Sequence, residues 1–379
     1  MAFRLSDEHR AIRAAVRDFG DQEIRPVAGV HDAERRYPHD LVSQAAELDL
    51  VAPNIPEEYG GPGMDALGTT IVTEELWRAD PGIGSAIGSR GFGTHMLLEY
   101  GDEWMCEEWL PRIAAGESAC ASAISEPEHG SDVAGMETSA EKAGDEWLID
   151  GVKTWITNGT IADVCVLFAK TDPGAGHRGI TAFLVPTDRP GFETEPIDNK
   201  LGIRASDLGT LYLDEVTVPA ANVIGTVDEG FYQLMEFFAV GRVSVAAHAV
   251  GVSQAALDAA IDYANGREQF DRPIKEFQAI QHKIAEMATA TEAARSLTYR
   301  AAAAVAAGAD DEATRLASMA KLFASERAVE VADEGVQVHG GAGFVSDFPA
   351  ERYYRDARIT KIYEGTSEIQ KNIIAERLL

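Results

Sequence analysis

The chain has 379 residues, 45% of them hydrophobic and 25% charged, the balance of a folded globular protein and not of a disordered or fibrous one. Its formal net charge of −29 runs along the whole sequence, which excludes the basic face that nucleic-acid binding needs. We read it as the surface of a halophilic protein, where salt screens repulsion among carboxylates.

The first segment reads as helical. Ser6 offers half a capping box before Asp7 and Glu8, and Ile12, Val16 and Phe19 then recur at helical spacing. Pro53 to Gly63 is a loop dense in helix breakers, after which Thr69–Arg78 and Thr94–Tyr100 resume as helices. Near Cys120 the pattern changes to period two: Trp147 and Ile149; Val164, Val166 and Phe168; Phe183 and Val185; Leu211 and Leu213. Gly151, Pro173-Gly174 and Pro190-Gly191 punctuate these runs, which make a small antiparallel β domain ending near Gly225. Beyond Gly230 the chain is alanine-rich and helical, with Ile280, Ile284, Met287, Thr291, Ala294 and Leu297 on one face. Three or four such helices would form an antiparallel bundle.

No apolar run is expected to reach the length of a membrane span, and Met1-Ala-Phe-Arg-Leu-Ser-Asp7 lacks the anatomy of a secretory signal, so the expected location is cytoplasmic. Cys106, Cys120 and Cys165 are too widely spaced for a metal or redox pair, and the histidines form no ligand set, so no metal is expected.

Five segments carry chemistry. Ile362 to Gln370 places Glu364 between Tyr363 and Gly365; a carboxylate shielded there holds its proton more tightly and can act as a general base. Ser122 to Asp132 is a loop of small and hydroxyl residues suited to close contact with a polar cofactor. In Gly151 to Gly159, period two puts Trp155 and Thr157 on one face, an indole to cover a flat ring and a hydroxyl to bond its edge. Arg267, Phe270 and Gln278 suit a pyrophosphate and an adenine. Gln337 to Phe344 is glycine-rich but follows a helix, so it is not a dinucleotide fingerprint. Each segment alone also reads as an ordinary turn, strand or solvated charge cluster.

In this order the five resemble the acyl-CoA dehydrogenase family, and the resemblance spans essentially the whole chain, including Pro56 to Gly61 and Leu201 to Ser206. It implies an α+β multidomain fold: an N-terminal α-helical domain (1–118), a central antiparallel β-barrel (119–226) and a C-terminal four-helix bundle (227–379). It also implies non-covalent FAD, a homotetramer with the flavin across a subunit boundary, and transfer of electrons to an electron-transfer flavoprotein. By position, Glu364 matches the base that removes the α-proton of an acyl-CoA. Ser122, Ile124, Ser125, Gly130, Ser131, Trp155, Ile156 and Thr157 match segments around the isoalloxazine and pyrophosphate. Arg267 and Gln278 match residues that reach a neighbouring subunit's FAD; Phe270, Gln337, Gly340, Gly341, Thr366, Ser367 and Glu368 match further FAD contacts. Ser131, Ala239, Arg242 and Gly365 match acyl-CoA contacts.

Some relatives carry the base at the position of Gly241, and the glycine here leaves that role to Glu364. Ala239 replaces a common Asp or Asn, and Arg90 stands where a small polar residue is usual, either facing solvent or CoA or reading a carboxylate on the acyl tail. Two other functions compete: a flavin oxidase or monooxygenase of the same fold, and a silent acyl-CoA-binding subunit. Retention of Glu364 and of every flavin segment favours the dehydrogenase.

Overall fold

The computed structural model describes residues 5–308 and 311–379. Ser6 is extended and accepts the His9 N–H, so α1 (Asp7–Phe19) begins at its acidic first turn. A π turn at Gly20–Ile24 joins it to α2 (Arg25–Glu34), and α3 (His39–Glu47) precedes the breaker-rich loop. α4 (Ala66–Ala79) starts before the expected Thr69 because Asp65 caps it, accepting the Gly68 N–H at 2.6 Å. Asp80 caps α5 (Pro81–Gly88), and α6 (Thr94–Tyr100) and α7 (Glu103–Ala114) complete the helical layer.

The middle strands are β1 (Cys120–Ala123), β2 (Ser139–Ala143), β3 (Glu146–Thr157), β4 (Val164–Lys170), β5 (Ile180–Pro186), β6 (Phe192–Pro196), β7 (Leu208–Pro219) and β8 (Val223–Ile224). They form one sheet in the order β6-β7-β3-β2-β4-β5-β8, with β1 also paired to β4. Two expectations are corrected here. The sheet is open at β6 and β8 and not a closed barrel, and β1 lies parallel to β4, so it is mixed and not antiparallel throughout. Its free edges are protected by other means: β6 carries exposed Glu193 and Glu195, and β8 is two residues long. Central β4 and β5 are buried on both faces. Val164, Val166 and Phe168 pack on the N-terminal helices, while Cys165, Leu167 and Ala169 pack with Trp147 and Leu211 on the other side.

The C-terminal region holds α8 (Gly230–Gly266), a hairpin of β9 (Glu268–Gln269) and β10 (Arg272–Pro273), α9 (Gln278–Ala306), α10 (Asp311–His339), α11 (Ala350–Ala357) and α12 (Ser367–Glu376). Among the described residues the long helices of this region are α8, α9 and α10, not four. The stretch after His339 is broken by Gly340, Gly341, Gly343 and Pro349, and only short helices follow. Trp77 of α4 joins their core, so the N-terminal layer contributes to the packing. α8 does have the length and apolar composition of a membrane span, against the sequence expectation. Most of that apolar stretch is buried in the protein, as in the central helix of a core.

Candidate active site

The segment from Ile362 to Thr366 links a 3₁₀ turn to α12 and bends through two left-handed residues, Glu364 at φ 53° and Gly365 at φ 87°. A non-glycine residue held there is strained and persists only where its surroundings fix it. Gln370 of α12 donates to both carbonyls, at 3.0 Å for Glu364 and 2.9 Å for Gly365, and Lys321 of α10 donates to Gly365 at 2.6 Å. Thr366 caps α12 by accepting the Ile369 N–H, while Ser367 is buried and Glu368 exposed. The Tyr363 hydroxyl lies 2.7 Å from His248 Nδ1, and the His248 ring stacks on Trp77 with centroids 4.2 Å apart.

The Glu364 carboxylate points at α8. A Cβ on Gly241 would come within 2.5 Å of its Oε2, so the glycine provides the space this carboxylate occupies. Burial pushes the Glu364 carboxyl up to about 7, against the opposing pull of Arg242 and Lys321. Arg242 is itself buried over the Phe238 ring, and burial lowers it to about 10. Four buried polar atoms here lack a partner: Glu364 Oε2, Arg242 Nε, Ser367 Oγ and Gln370 Oε1. Buried polar atoms are normally satisfied, so such a group marks a place where a polar ligand or water belongs. Ala239 lies buried on the same helix, one turn before Arg242.

A second cluster joins the loop after β1 to β3. Thr154 N–H donates to the Ser125 carbonyl at 2.9 Å, and buried Lys153 donates to the Ile124 carbonyl at 3.1 Å and to Glu126 at 2.8 Å. Ser122 donates to the Phe92 carbonyl. The strand bulges between Lys153 and Ile156, and Trp155 takes φ 60°. Beyond the bulge the alternation resumes: Trp155 is 62% exposed, Ile156 is buried and Thr157 half-buried on the indole's side. Gly130 and Ser131 lie exposed on the same loop.

The third cluster is a cleft of about 1410 Å³ between α8, α9 and the end of α10. Arg267, Phe270, Gly340 and Gly341 line it; Gln278 and Gln337 are exposed beside it, next to the lining residues Phe277 and Val338. Phe270 and Asp271, both at positive φ, form the tip of the β9–β10 hairpin, which leaves the Phe270 ring 86% exposed. A Cβ at Gly340 or Gly341 would meet nothing, so the floor is open to close approach by a ligand. Glu364 and Arg242 do not line this cleft, so the structure brings the predicted residues together as separate groups.

These groups fit FAD: an exposed indole for a flat ring, an arginine beside a glycine floor for a pyrophosphate, and unpartnered buried polar atoms around a carboxylate. Arg90 does not face solvent, and its Nε has no partner. It is buried and donates to the Gly116 carbonyl at 3.0 Å within the helical layer. Sequence reading missed Lys321, Lys153 with Glu126, and His248. The signal for Lys321 was a lone lysine within the buried alanine stripe of α10.

Comparison with known proteins shows the family. Residues 6–117, 121–216 and 228–379 match the family models of the acyl-CoA dehydrogenase N-terminal, middle and C-terminal domains. The chain is similar to the mitochondrial short-chain specific acyl-CoA dehydrogenase of Mus musculus, at 40% identity over 99% of this chain and 91% of the other. It superposes on butyryl-CoA dehydrogenase from Megasphaera elsdenii with a TM-score of 0.95 and 35% identity, covering 100% of both chains. A chain in the structure of the electron transferring flavoprotein of Acidaminococcus fermentans matches with a TM-score of 0.96 and 37% identity, again over 100% of both.

Proposed function

Because the chain belongs to the acyl-CoA dehydrogenase family, an FAD-dependent family of oxidoreductases acting on CH–CH donors, we propose that it oxidises a short fatty or branched acyl-CoA to the trans-2-enoyl-CoA, with Glu364 as the base. The observation that carries this reading is the Glu364 carboxylate: Oε2 is shut off from solvent and unpartnered, in the space left by Gly241. An α-proton is far too weakly acidic for a solvated carboxylate. A desolvated one with a raised proton affinity is the better base, and hydrogen-bond donors around the thioester oxygen stabilise the developing enolate. FAD, when bound, supplies the acceptor for the β-hydrogen as hydride. The chain's own residues would do the rest: Trp155 and Thr157 would face the ring, the Ser122 to Ser131 loop would hold the polar linkage, Arg267 would reach the FAD of a second copy, and Arg242 with Gly365 would meet the acyl-CoA.

The short-chain preference is supported by the names of the similar proteins above. We further assign the electrons to an electron-transfer flavoprotein, and the cleft to contact with a second copy of the chain in a homo-oligomer. Anaerobic bleaching of the bound flavin by a panel of acyl-CoAs from butyryl to palmitoyl, with isobutyryl, isovaleryl and glutaryl, tests the reading. Fast bleaching by the short or branched members is expected, and Glu364→Gln should keep its flavin and its acyl-CoA affinity while bleaching ~10²–10⁴-fold more slowly. A Glu364→Gln protein that bleaches at the wild-type rate would show that another group is the base.

A further inference from the structure

The buried stripe of α10 runs through Ala317, Ala320, Ala324 and Ala328, and Lys321 lies inside it, fully buried. Placing an ammonium there costs desolvation and the freedom of a long side chain, so its retention calls for a partner that uses the charge. The dehydrogenation as described gives Lys321 no step. From this geometry we propose that Lys321 is a positioning residue for the base: it clamps the Gly365 carbonyl to hold the left-handed turn, and its buried charge keeps the Glu364 carboxylate ionised once substrate has excluded water. The inference rests on the reading of Glu364 as the base.

Two helices hold the turn from different sides. Lys321 of α10 and Gln370 of α12 both donate to the Gly365 carbonyl, and Gln370 also reaches that of Glu364. In a trans peptide the carbonyl and the next N–H point in opposite directions. Fixing the Glu364 carbonyl on Gln370 therefore turns the Gly365 N–H away from α12.

The charged groups facing the carboxylate are Arg242 from α8 and Lys321 from α10, with the Tyr363 phenol beside it in the turn. Glu368 of α12 also acts on Lys321. Burial lowers the Lys321 ammonium to about 8, and the Glu364 carboxylate opposes that fall, so Lys321 remains mostly cationic at neutral pH. A neutral donor at this position would satisfy the carbonyl without the charge, which separates the two parts of the role.

The test uses the purified flavin-loaded enzyme and the variants Lys321→Gln, Lys321→Met and Glu364→Gln. Removing a cation favours the protonated acid, so the Glu364 titration moves up and its ionised fraction at pH 7 falls. For Lys321→Gln, which keeps a donor, the pH profile of flavin reduction should move up by about one unit and the rate at pH 7 should fall roughly fivefold. Lys321→Met, which also loses the clamp, should be slower still at every pH. A second readout does not use turnover: the pH-difference infrared signal of the carboxyl group that vanishes in Glu364→Gln should show the same upward move in Lys321→Gln. Wild-type rate, profile and infrared midpoint in Lys321→Gln would overturn the proposal, and that variant decides the matter if Lys321→Met does not fold. Failure of the base assignment looks different, because Glu364→Gln itself would then reduce normally.

Discussion

The Glu364 turn and the Arg267–Gly341 cleft are both made by the C-terminal helices, yet they are opposite kinds of surface. Around Glu364 the chain supplies nearly everything itself: two helices clamp the carbonyls, Gly241 shapes the space, and buried Arg242 and Lys321 set the electrostatics. The cleft is open and aromatic, with a glycine floor, and its exposed rings are ones a folded chain normally covers. Phe270 is 86% exposed, and Phe348, another ring of the lining, is 37% exposed. Exposed apolar area gathered in one place marks a binding surface more often than chance. On the proposed reading, the chemistry of the base is fixed within one chain, while the hold on the cofactor depends on what covers the cleft. Disturbing one region should leave the signature of the other intact.

Among changes that leave Glu364 itself in place, the largest effect is expected from Gly241→Ala. Its Cβ would lie 2.5 Å from Glu364 Oε2, so the carboxylate must move. Displacing a reacting group by about 1 Å can cost ~10²-fold, and flavin reduction should fall by about that much with flavin content unchanged. Next comes Arg267→Ala, which addresses the cleft alone. Loss of a charge-assisted hydrogen bond is worth about 1.5–3 kcal/mol, so FAD should bind roughly 10- to 100-fold more weakly, read as flavin lost on gel filtration. Whatever flavin remains should be reduced with an unchanged pH profile. That profile is itself a prediction. With the Glu364 carboxyl raised to about 7, the ionised base fraction falls about tenfold per pH unit below 7 and levels off above it. Stopped-flow reduction across pH checks the slope, and a rate flat down to pH 5 would mean that the proton is taken by a group of ordinary acidity.

How much of this was legible in the sequence follows the same division. Local order was readable where the signal is local: Ser6 and the acidic first turn of α1, Thr94 to Tyr100, and the α9 stripe of Met287, Thr291 and Ala294. Sheet closure was not readable, because period two reports which face a side chain takes and says nothing of which strand lies beside it. The parallel pairing of β1 with β4 joins residues more than forty positions apart and has no sequence signature of its own. The same limit applies to the site. Glu364 and Gly365 announce themselves as a pair, but Lys321 and His248 reach that turn only through folding, from helices whose composition reads as plain core. The burial of Arg90 was not readable either, because its carbonyl partner on Gly116 is created by the turn after α7.

The smallest expected effect sharpens the comparison most, since it concerns a residue that touches neither ligand nor carboxylate. His248 is buried against Trp77, and burial drives its imidazole down to about 3, so it is neutral at working pH. A neutral ring can accept the Tyr363 hydroxyl proton at Nδ1 while its Nε2–H faces Ser244 at 3.5 Å. In His248→Leu the phenol loses its partner inside the protein, which should cost about 1–3 kcal/mol of stability. His248→Gln retains an acceptor and should lose less. If the ring also steadies the turn, flavin reduction in the leucine variant should slow a few-fold and recover in the glutamine variant, with the same pH midpoint in both, because no charge near Glu364 has changed. Thermal unfolding and stopped-flow reduction on the two variants decide it. A midpoint that moved would place an electrostatic role on His248, contrary to a ring that packing keeps neutral.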